Sequence, residues 1–401
     1  MTHLNHAFQK LDTVLTRYQT LWQAQPFIND DLPWFHSHPH LKEALLALDD
    51  SEAMDLHDNQ QQRMQWFYQL EPKIAEPLFA FTPAPVKATT SLVYDRFDKQ
   101  GISGRKWEQI TAFASALPNT LPNAETALVD WCAGKGHLSR MVQRSLQQTV
   151  HCIEWDSALV SAGKELAAKQ QLDIRYYHHD VMQPAPTACS GTENIHIGLH
   201  ACGDLHRQLL KHVAHSQAKG MALSPCCYHK ITTEQYQPLS QIANTSTLEL
   251  SRPSLHLAVQ DPVTARRGER VLRQQERVWR LGFDLLQRDI RGVDHYLKVP
   301  SSNSKLLRQD FASFCRWAAA AKNIDLSDEI NFDHYLERGK EKHQRIMRLD
   351  LLRRVFNRPL ELWLVLDRAL YLEEQGYDVE INQFCDSAVS PRNLLIRAQR
   401  R

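Results

Sequence analysis

"VDWCAGKGHLSRMVQ", residues Val129 to Gln143, places two glycines one residue apart in a chain of 401 residues that has only 14 of them. A short apolar run ending at an acid, "ALVDW", leads into this stretch, and an amphipathic pattern, "HLSRMVQRSLQQ", leads out of it. Strand, glycine turn and helix in that order form the edge at which an open parallel sheet binds its ligand. Backbone amides can come close where no side chain intervenes, and a helix N-terminus favours negative charge. The spacing is not that of a dinucleotide fingerprint, because Ser139 stands where the third glycine would be. A tight turn that lets the helix pack on the sheet is the plainer reading of the same two glycines.

The rhythm around the turn decides the fold class. "TVHCIEW", "DIRYYHHD", "NIHIGLH" and "GMALSPC" read as strands, and "SALVSAGKELAAKQQ" and "DLHRQLLKHVAHSQ" as helices between them. Such alternation requires right-handed crossovers and gives a parallel sheet with helices on both faces. Ahead of it lies a region of helices and loops ending in the linker-like "FTPAPVKATT"; after Glu249 the alternation is lost to helical patterns until "YDVEINQFCD" and "PRNLLIRAQ" flank "SAVS" as an antiparallel hairpin. The expected α/β architecture is an N-terminal helical region over 1–90 and a Rossmann-like core over 91–250. A helical insertion over 251–355 and a C-terminal helix and hairpin over 356–401, completing the sheet, follow.

Composition narrows the class. No stretch reaches the ~20 apolar residues of a membrane span, and "MTHLNHAFQK" lacks the apolar centre of a signal peptide, so a cytoplasmic protein without a membrane partner is expected. The eight cysteines are scattered or, at Cys226 and Cys227, adjacent, which is not the spacing of a disulfide scaffold. A net charge of +1 leaves nucleic-acid binding to a local patch. The candidate is "ARRGERVLRQQERVWR", with Arg266, Arg267, Arg270, Arg273, Arg277 and Arg280 against Glu269 and Glu276, a stripe suited to RNA phosphates or simply a solvated helix face.

The order acid-x-x-x-Gly-x-Gly, from Asp130 through Ala133 to Gly134, Lys135 and Gly136, resembles the first motif of class I S-adenosylmethionine-dependent methyltransferases, with Cys132 where many members have another glycine. The resemblance implies that the amino-acid part of S-adenosylmethionine lies over the glycines. Glu154, twenty-four residues after Asp130, would accept the ribose hydroxyls, and Asp180, with Val181 beside it, the adenine amine. "IGLHACGDL", "LSPCCYHKI", "LDRALYLEEQGYDVEINQF" and "SPRNLLI" follow in order. With the glycine turn they resemble the family that includes glutathione S-transferase C-terminal-domain-containing protein and related methyltransferase-like proteins. The eukaryotic tRNA acceptor-stem 2′-O-methyltransferases are similar at a greater distance. The resemblance spans roughly Gly101 to Gln399 and leaves out the N-terminal helices.

"GLHACGDL" and "LSPCCYHK" follow the fourth and fifth strands, so His200, Cys202, Asp204, Cys226, Cys227, Tyr228 and His229 are expected to converge at the carboxyl edge. His200, also a cofactor neighbour, and His229 are the candidate proton acceptors, with Asp204 either orienting one of them or capping the next helix. A thiolate at the Pro-Cys turn, Cys226, with Cys202 as partner, would instead suit methylation at a pyrimidine carbon. Cys202, Cys226, Cys227 and His229 are ligands zinc favours, but adjacent cysteines seldom share a metal and no C-x-x-C pair exists, so no metal is expected. Buried thiols packed beside the cofactor are the bland account. Lys135 suits a carboxylate or phosphate, and Lys106 belongs to a segment that would cover the cofactor. The expected activity is methyl transfer to an oxygen or nitrogen of RNA, tRNA first. The alternatives are a protein substrate, a carbon-5 pyrimidine target with a cysteine nucleophile, and a cofactor-binding adaptor without turnover.

Overall fold

A computed structural model describes residues 2–88, 90–94, 98–99, 101–117, 126–260 and 267–401, the side chain of Arg267 excepted. Seven strands form one sheet: β1 (Leu128–Trp131), β2 (Val150–Glu154), β3 (Ile174–His178), β4 (Ile195–Cys202), β5 (Gly220–Cys226), β6 (Tyr377–Gln383) and β7 (Leu394–Arg400). Their order is β3-β2-β1-β4-β5-β7-β6. The first five run parallel, with Asp130 level with Cys152 and Ile197, and β7 is antiparallel to both β5 and β6. The chain leaves β1 towards β2 and β3, then returns to place β4 on the other side of β1. This reversal opens a crevice at the carboxyl ends of β1 and β4.

The chain divides into two compact units. One comprises Met1–Thr16, Pro77–Asp261 and Arg358–Arg401, the other Arg17–Glu76 and Pro262–Asn357. The segment expected as one N-terminal helical region is thus shared between the two. The first unit holds the sheet. Its helices Gly104–Ser115 and His137–Leu146 lay Ile110, Phe113, Leu138 and Met141 against Leu128, Val150 and Ile197 from three strands. Helix Asn357–Glu374 is buried along nearly its whole length and carries Asp367 and Arg368 inside. Asp367 accepts from the Tyr236 hydroxyl, from Ser240 Oγ and N at 2.8 Å each and from Leu239 N. Arg368 Nε donates to His206 Nε2 at 2.9 Å, and His206 Nδ1 faces the Ala201 carbonyl at 3.0 Å. Every polar atom of that histidine is therefore used, which fixes it neutral and pins the end of β4.

The second unit is helical. Its core gathers Trp279, Phe283, Phe311, Phe314 and Ala318 from helices Arg267–Arg291 and Phe311–Ala320. Gly282 and Gly339 let helices Arg267–Arg291 and Phe332–Val355 touch: a β-carbon on Gly339 would lie 2.8 Å from Gly282 N. No helix among the described residues is long and apolar enough to cross a membrane.

Candidate active site

The turn after β1 is built around two left-handed glycines that serve different ends. A β-carbon on Gly136 would collide with the hydroxyl of Tyr176 from β3, which also bonds the Lys135 carbonyl at 3.3 Å. A β-carbon on Gly134 would meet no atom within 4 Å. Packing explains the second glycine, and open space lies over the first. Cys132 at φ 58° starts the turn, Ala133 N donates to the Ile153 carbonyl at 3.1 Å, and Gly136 N closes onto the Ala133 carbonyl at 2.9 Å. Burial pushes the Cys132 thiol up to about 12.

Glu154 at the tip of β2 reaches this turn, one carboxylate oxygen accepting from Gly134 N at 2.8 Å and the other from Asp156 N at 2.9 Å. Trp155, next to it, is 67 % exposed, a large apolar side chain beside the candidate ribose acceptor that the sequence reading passed over. Asp180 accepts from Met182 N at 3.0 Å, and Val181 is buried beside it. Asp130 is placed otherwise than a ligand-facing acid: it is 2 % exposed and takes its hydrogen bond from Ser139 Oγ, which in turn accepts from the Cys152 thiol at 3.0 Å. Burial raises Asp130 to about 7, with the Glu154 charge adding to the shift and the Ser139 bond opposing it. Its part is to tie the first turn of helix His137–Leu146 to β1.

The far wall comes from β4 and β5. The β4 ladder shifts register between Leu199 and Cys202, and His200 there has φ 76°, a left-handed conformation uncommon for any residue with a side chain. Its Nε2 lies 2.9 Å from Gln109 Oε1, and Gln109 Nε2 donates to the Val389 carbonyl at 3.1 Å. The second bond fixes which end of the amide faces the imidazole. His200 Nε2 is therefore the N–H, and Nδ1 carries the lone pair. Burial, then the charge of Lys106, lowers the His200 pKa, so the ring is neutral at pH 7. Gln109 was not singled out from sequence, since nothing local links it to residue 200.

After β5, Cys227 is also left-handed, at φ 49°, and this turns its side chain back beside that of Cys226. The sulfurs of Cys202, Cys226 and Cys227 all lie within 4.8 Å of one another, with Cys202 and Cys226 at 3.6 Å. Adjacency argued against such convergence; the backbone turn achieves it. The three thiols titrate as a set, in which donation from the other two stabilises the Cys227 thiolate and raises Cys226. His229 stacks against His256 with ring centroids 4.9 Å apart, and its Nδ1 is buried with no partner in the described structure. Burial and His256 lower its pKa. Tyr228 turns inward, its hydroxyl on the Pro225 carbonyl at 3.3 Å. Asp204 is not an imidazole-orienting group: its carboxylate accepts from Thr232 N at 2.8 Å and Thr232 Oγ1 at 3.0 Å and faces Arg207. Nor is it the cap, because Gly203 holds that position and Asp204 opens the helix Asp204–Ser216.

The arginine stripe, in the second unit, is thinner than its sequence suggests. Arg266 and the side chain of Arg267 lie outside the described residues. Arg280 is paired with Glu276 at 2.7 Å and bonded to the Val299 and Pro300 carbonyls, Arg277 is half-buried, and of the two exposed arginines Arg270 faces Asp58 at 3.9 Å, so that the stripe presents chiefly Arg273.

Residues 105–234 match a family described as a methyltransferase domain. With the sheet order and the glycine turn, this defines a class I methyltransferase fold, the class that works with S-adenosylmethionine. Among known proteins the chain is 26% identical over 126 residues to a glutathione S-transferase C-terminal domain-containing protein of Xenopus laevis. That alignment takes 31% of this chain and only 19% of the relative's length. TYW2 of M. jannaschii in complex with AdoMet is 14% identical over 34% of this chain and 62% of its own, at a TM-score of 0.25. Geranyl diphosphate C-methyltransferase of Streptomyces coelicolor A3(2) is 18% identical over 36% and 56%, also at 0.25.

The residues present fit S-adenosylmethionine. Open space stands over Gly134, and Glu154, an acceptor group, lies at the same turn.

Proposed function

We propose that the protein transfers the methyl group of S-adenosylmethionine directly to an oxygen or nitrogen of RNA, tRNA being the first candidate. The cofactor supplies an electrophilic methyl carbon, and the chain must align a nucleophile, take its proton and keep water out. Gly134 and Lys135 would receive the methionine part, Glu154 the ribose, and Asp180 with Val181 the adenine. The observation that carries the reading is the tautomer of His200: Gln109 holds Nε2–H, so Nδ1 is a neutral base at the carboxyl edge of β4. His229, with its unpartnered buried Nδ1, is the second candidate base.

Positive charge at the turn supports an anionic substrate. Lys106 lies close enough to depress both His137, which burial and Arg140 already hold near 4, and His200, and Lys135 acts on His137 as well. The test is incubation with methyl-labelled cofactor and fractionated cell extract. Label in the RNA fraction is expected. Label in protein overturns the substrate class, and bound cofactor with no label anywhere overturns catalysis in favour of an adaptor.

A further inference from the structure

We propose that Cys202, Cys226 and Cys227 bind one zinc ion as three thiolate ligands, at the carboxyl edge of β4 and β5 beside the candidate active site. The inference stands on the sulfur geometry and does not depend on the methyl-transfer reading. A tetrahedral site with Zn–S bonds of about 2.3 Å sets its sulfurs about 3.8 Å apart. Cys202 and Cys226 are already at 3.6 Å, and all three sulfurs lie within 4.8 Å of one another. Closing on an ion therefore asks for shifts of less than about 1 Å, within the reach of χ1 adjustment.

The backbone is arranged for this convergence at some cost. Neighbouring residues on a strand point to opposite faces, so Cys226 and Cys227 would diverge if the strand simply ran on. The left-handed turn at Cys227 reverses that, and no glycine is used to relieve it. The two loops are also clamped together. Gly203 N donates to the Cys226 carbonyl at 3.1 Å, Asp204 N to the Lys230 carbonyl at 3.0 Å, and Lys230 N to the Cys227 carbonyl at 2.9 Å. A β-carbon on Gly203 would strike the Lys230 carbonyl, so the glycine lets Cys202 sit against the cysteine pair. Such clamping fixes ligand positions before an ion arrives, which lowers the ordering cost of binding.

On binding, each sulfur still protonated loses its proton to solvent as a Zn–S bond replaces the S–H bond, and no electron is transferred. Three protein ligands leave a fourth position for water, the count found in zinc sites that do chemistry.

The test uses the full chain, reduced and freed of metal under anaerobic conditions, and titrated with Co²⁺ alone. One equivalent should produce thiolate-to-cobalt charge-transfer absorption, which Zn²⁺ should remove. Cys227→Ser should weaken Zn²⁺ binding by well over the ~10–100-fold that loss of an outer partner costs, while Cys315→Ala, in the core of the other unit, should leave it unchanged. Alkylation read by mass spectrometry covers the case of a variant that does not fold: in the wild-type chain Zn²⁺ should protect Cys202, Cys226 and Cys227 together, and removal of the ion by a chelator should abolish that protection. Absence of the charge-transfer bands, full binding by Cys227→Ser, or a Cys202–Cys226 disulfide forming when a thiol oxidant such as diamide is added to the protein at saturating Zn²⁺ would each overturn the site.

Discussion

The hydroxyl of Tyr176 occupies the place that a β-carbon on Gly136 would take, and its ring leaves equally little room at Gly163 on helix Ser157–Lys169. One tyrosine thus fixes two glycines. Gly136→Ala should destabilise the domain by ~1–3 kcal/mol, through the clash and the left-handed backbone together. Removing the hydroxyl by Tyr176→Phe should recover part of that loss in the double variant, although the ring carbon Cζ also lies 3.0 Å from the added atom. Urea unfolding of the four proteins gives the coupling. Additive costs would show that Tyr176 is not what Gly136 accommodates.

Gly134 is expected to behave differently. With open space over it, Gly134→Val should meet only the backbone penalty of ~1–2 kcal/mol in stability, yet should abolish cofactor binding by filling the space the methionine part needs. Glu154→Ala should weaken binding by ~1.5–3 kcal/mol, the worth of a charge-assisted bond, and also strand Gly134 N. Glu154→Gln keeps the acceptor for Gly134 N and separates the two effects. Calorimetry with S-adenosylmethionine is the measurement, and unaltered affinity in Glu154→Ala would remove the ribose assignment.

Asp130 offers a test by pH. Its pKa is 3.8 in an ordinary setting and about 7 in the fold. Between those values the folded protein keeps a proton that the unfolded chain has released. The contribution to stability is therefore fully present below about pH 3.8 and is lost as pH rises through about 7, at roughly 1.4 kcal/mol per unit of separation. Asp130→Asn is neutral throughout and can still accept from Ser139. It should match wild type at pH 4 and be the more stable protein at pH 8. Parallel stability curves for the two would mean that Asp130 is not held protonated.

Much of the fold is legible in the sequence because its signals are local. The "ALVDW" to "AGKG" transition, the strand and helix alternation to Cys226, and the final hairpin each depend on a few neighbouring residues. The direction of Asp130 is not legible, since all four residues of β1 are buried and both faces of a central strand read alike. Tyr176 meets Gly136 from forty positions away, and Gln109 meets His200 from ninety-one. The cysteine convergence hangs on one φ angle at Cys227, which no composition or spacing displays. Asp204 misleads for a different reason: an acid at the start of a helix suits the dipole as well as it suits catalysis.

The final hairpin is structural in a way that truncation can test. β7 lies between β5 and β6, with Leu394, Leu395 and Ile396 buried, and Ser224 Oγ on β5 donates to the Arg392 carbonyl at 3.2 Å. Ending the chain before Tyr377 should expose the β5 edge and cost the sheet unit its cooperative unfolding transition. A truncated protein that stays monomeric and still binds S-adenosylmethionine would show that five strands suffice.

The chemical route can be separated by single-turnover methyl transfer to whichever fraction takes label. If a neutral imidazole removes the proton, His200→Ala or His229→Ala should slow transfer by ~100-fold or more with cofactor affinity nearly intact. Burial lowers both pKa values below the ordinary 6.5, so the rate should stay on its plateau below pH 6.5 before falling as the base becomes protonated. Gln109→Ala frees the ring to change tautomer and should lower the rate through orientation; Gln109→Glu should also raise the pKa of the neighbouring imidazole and shift the fall to higher pH, a change a merely structural residue would not make. A carbon-5 target requires instead a covalent thiolate adduct, which survives denaturation on a gel with a fluorinated pyrimidine substrate. Loss of transfer in cysteine variants is not enough by itself to decide, because those residues are also the proposed zinc ligands. Full rates in both histidine variants, together with an adduct that vanishes in Cys226→Ala or Cys227→Ala, would replace the imidazole route with the thiolate one.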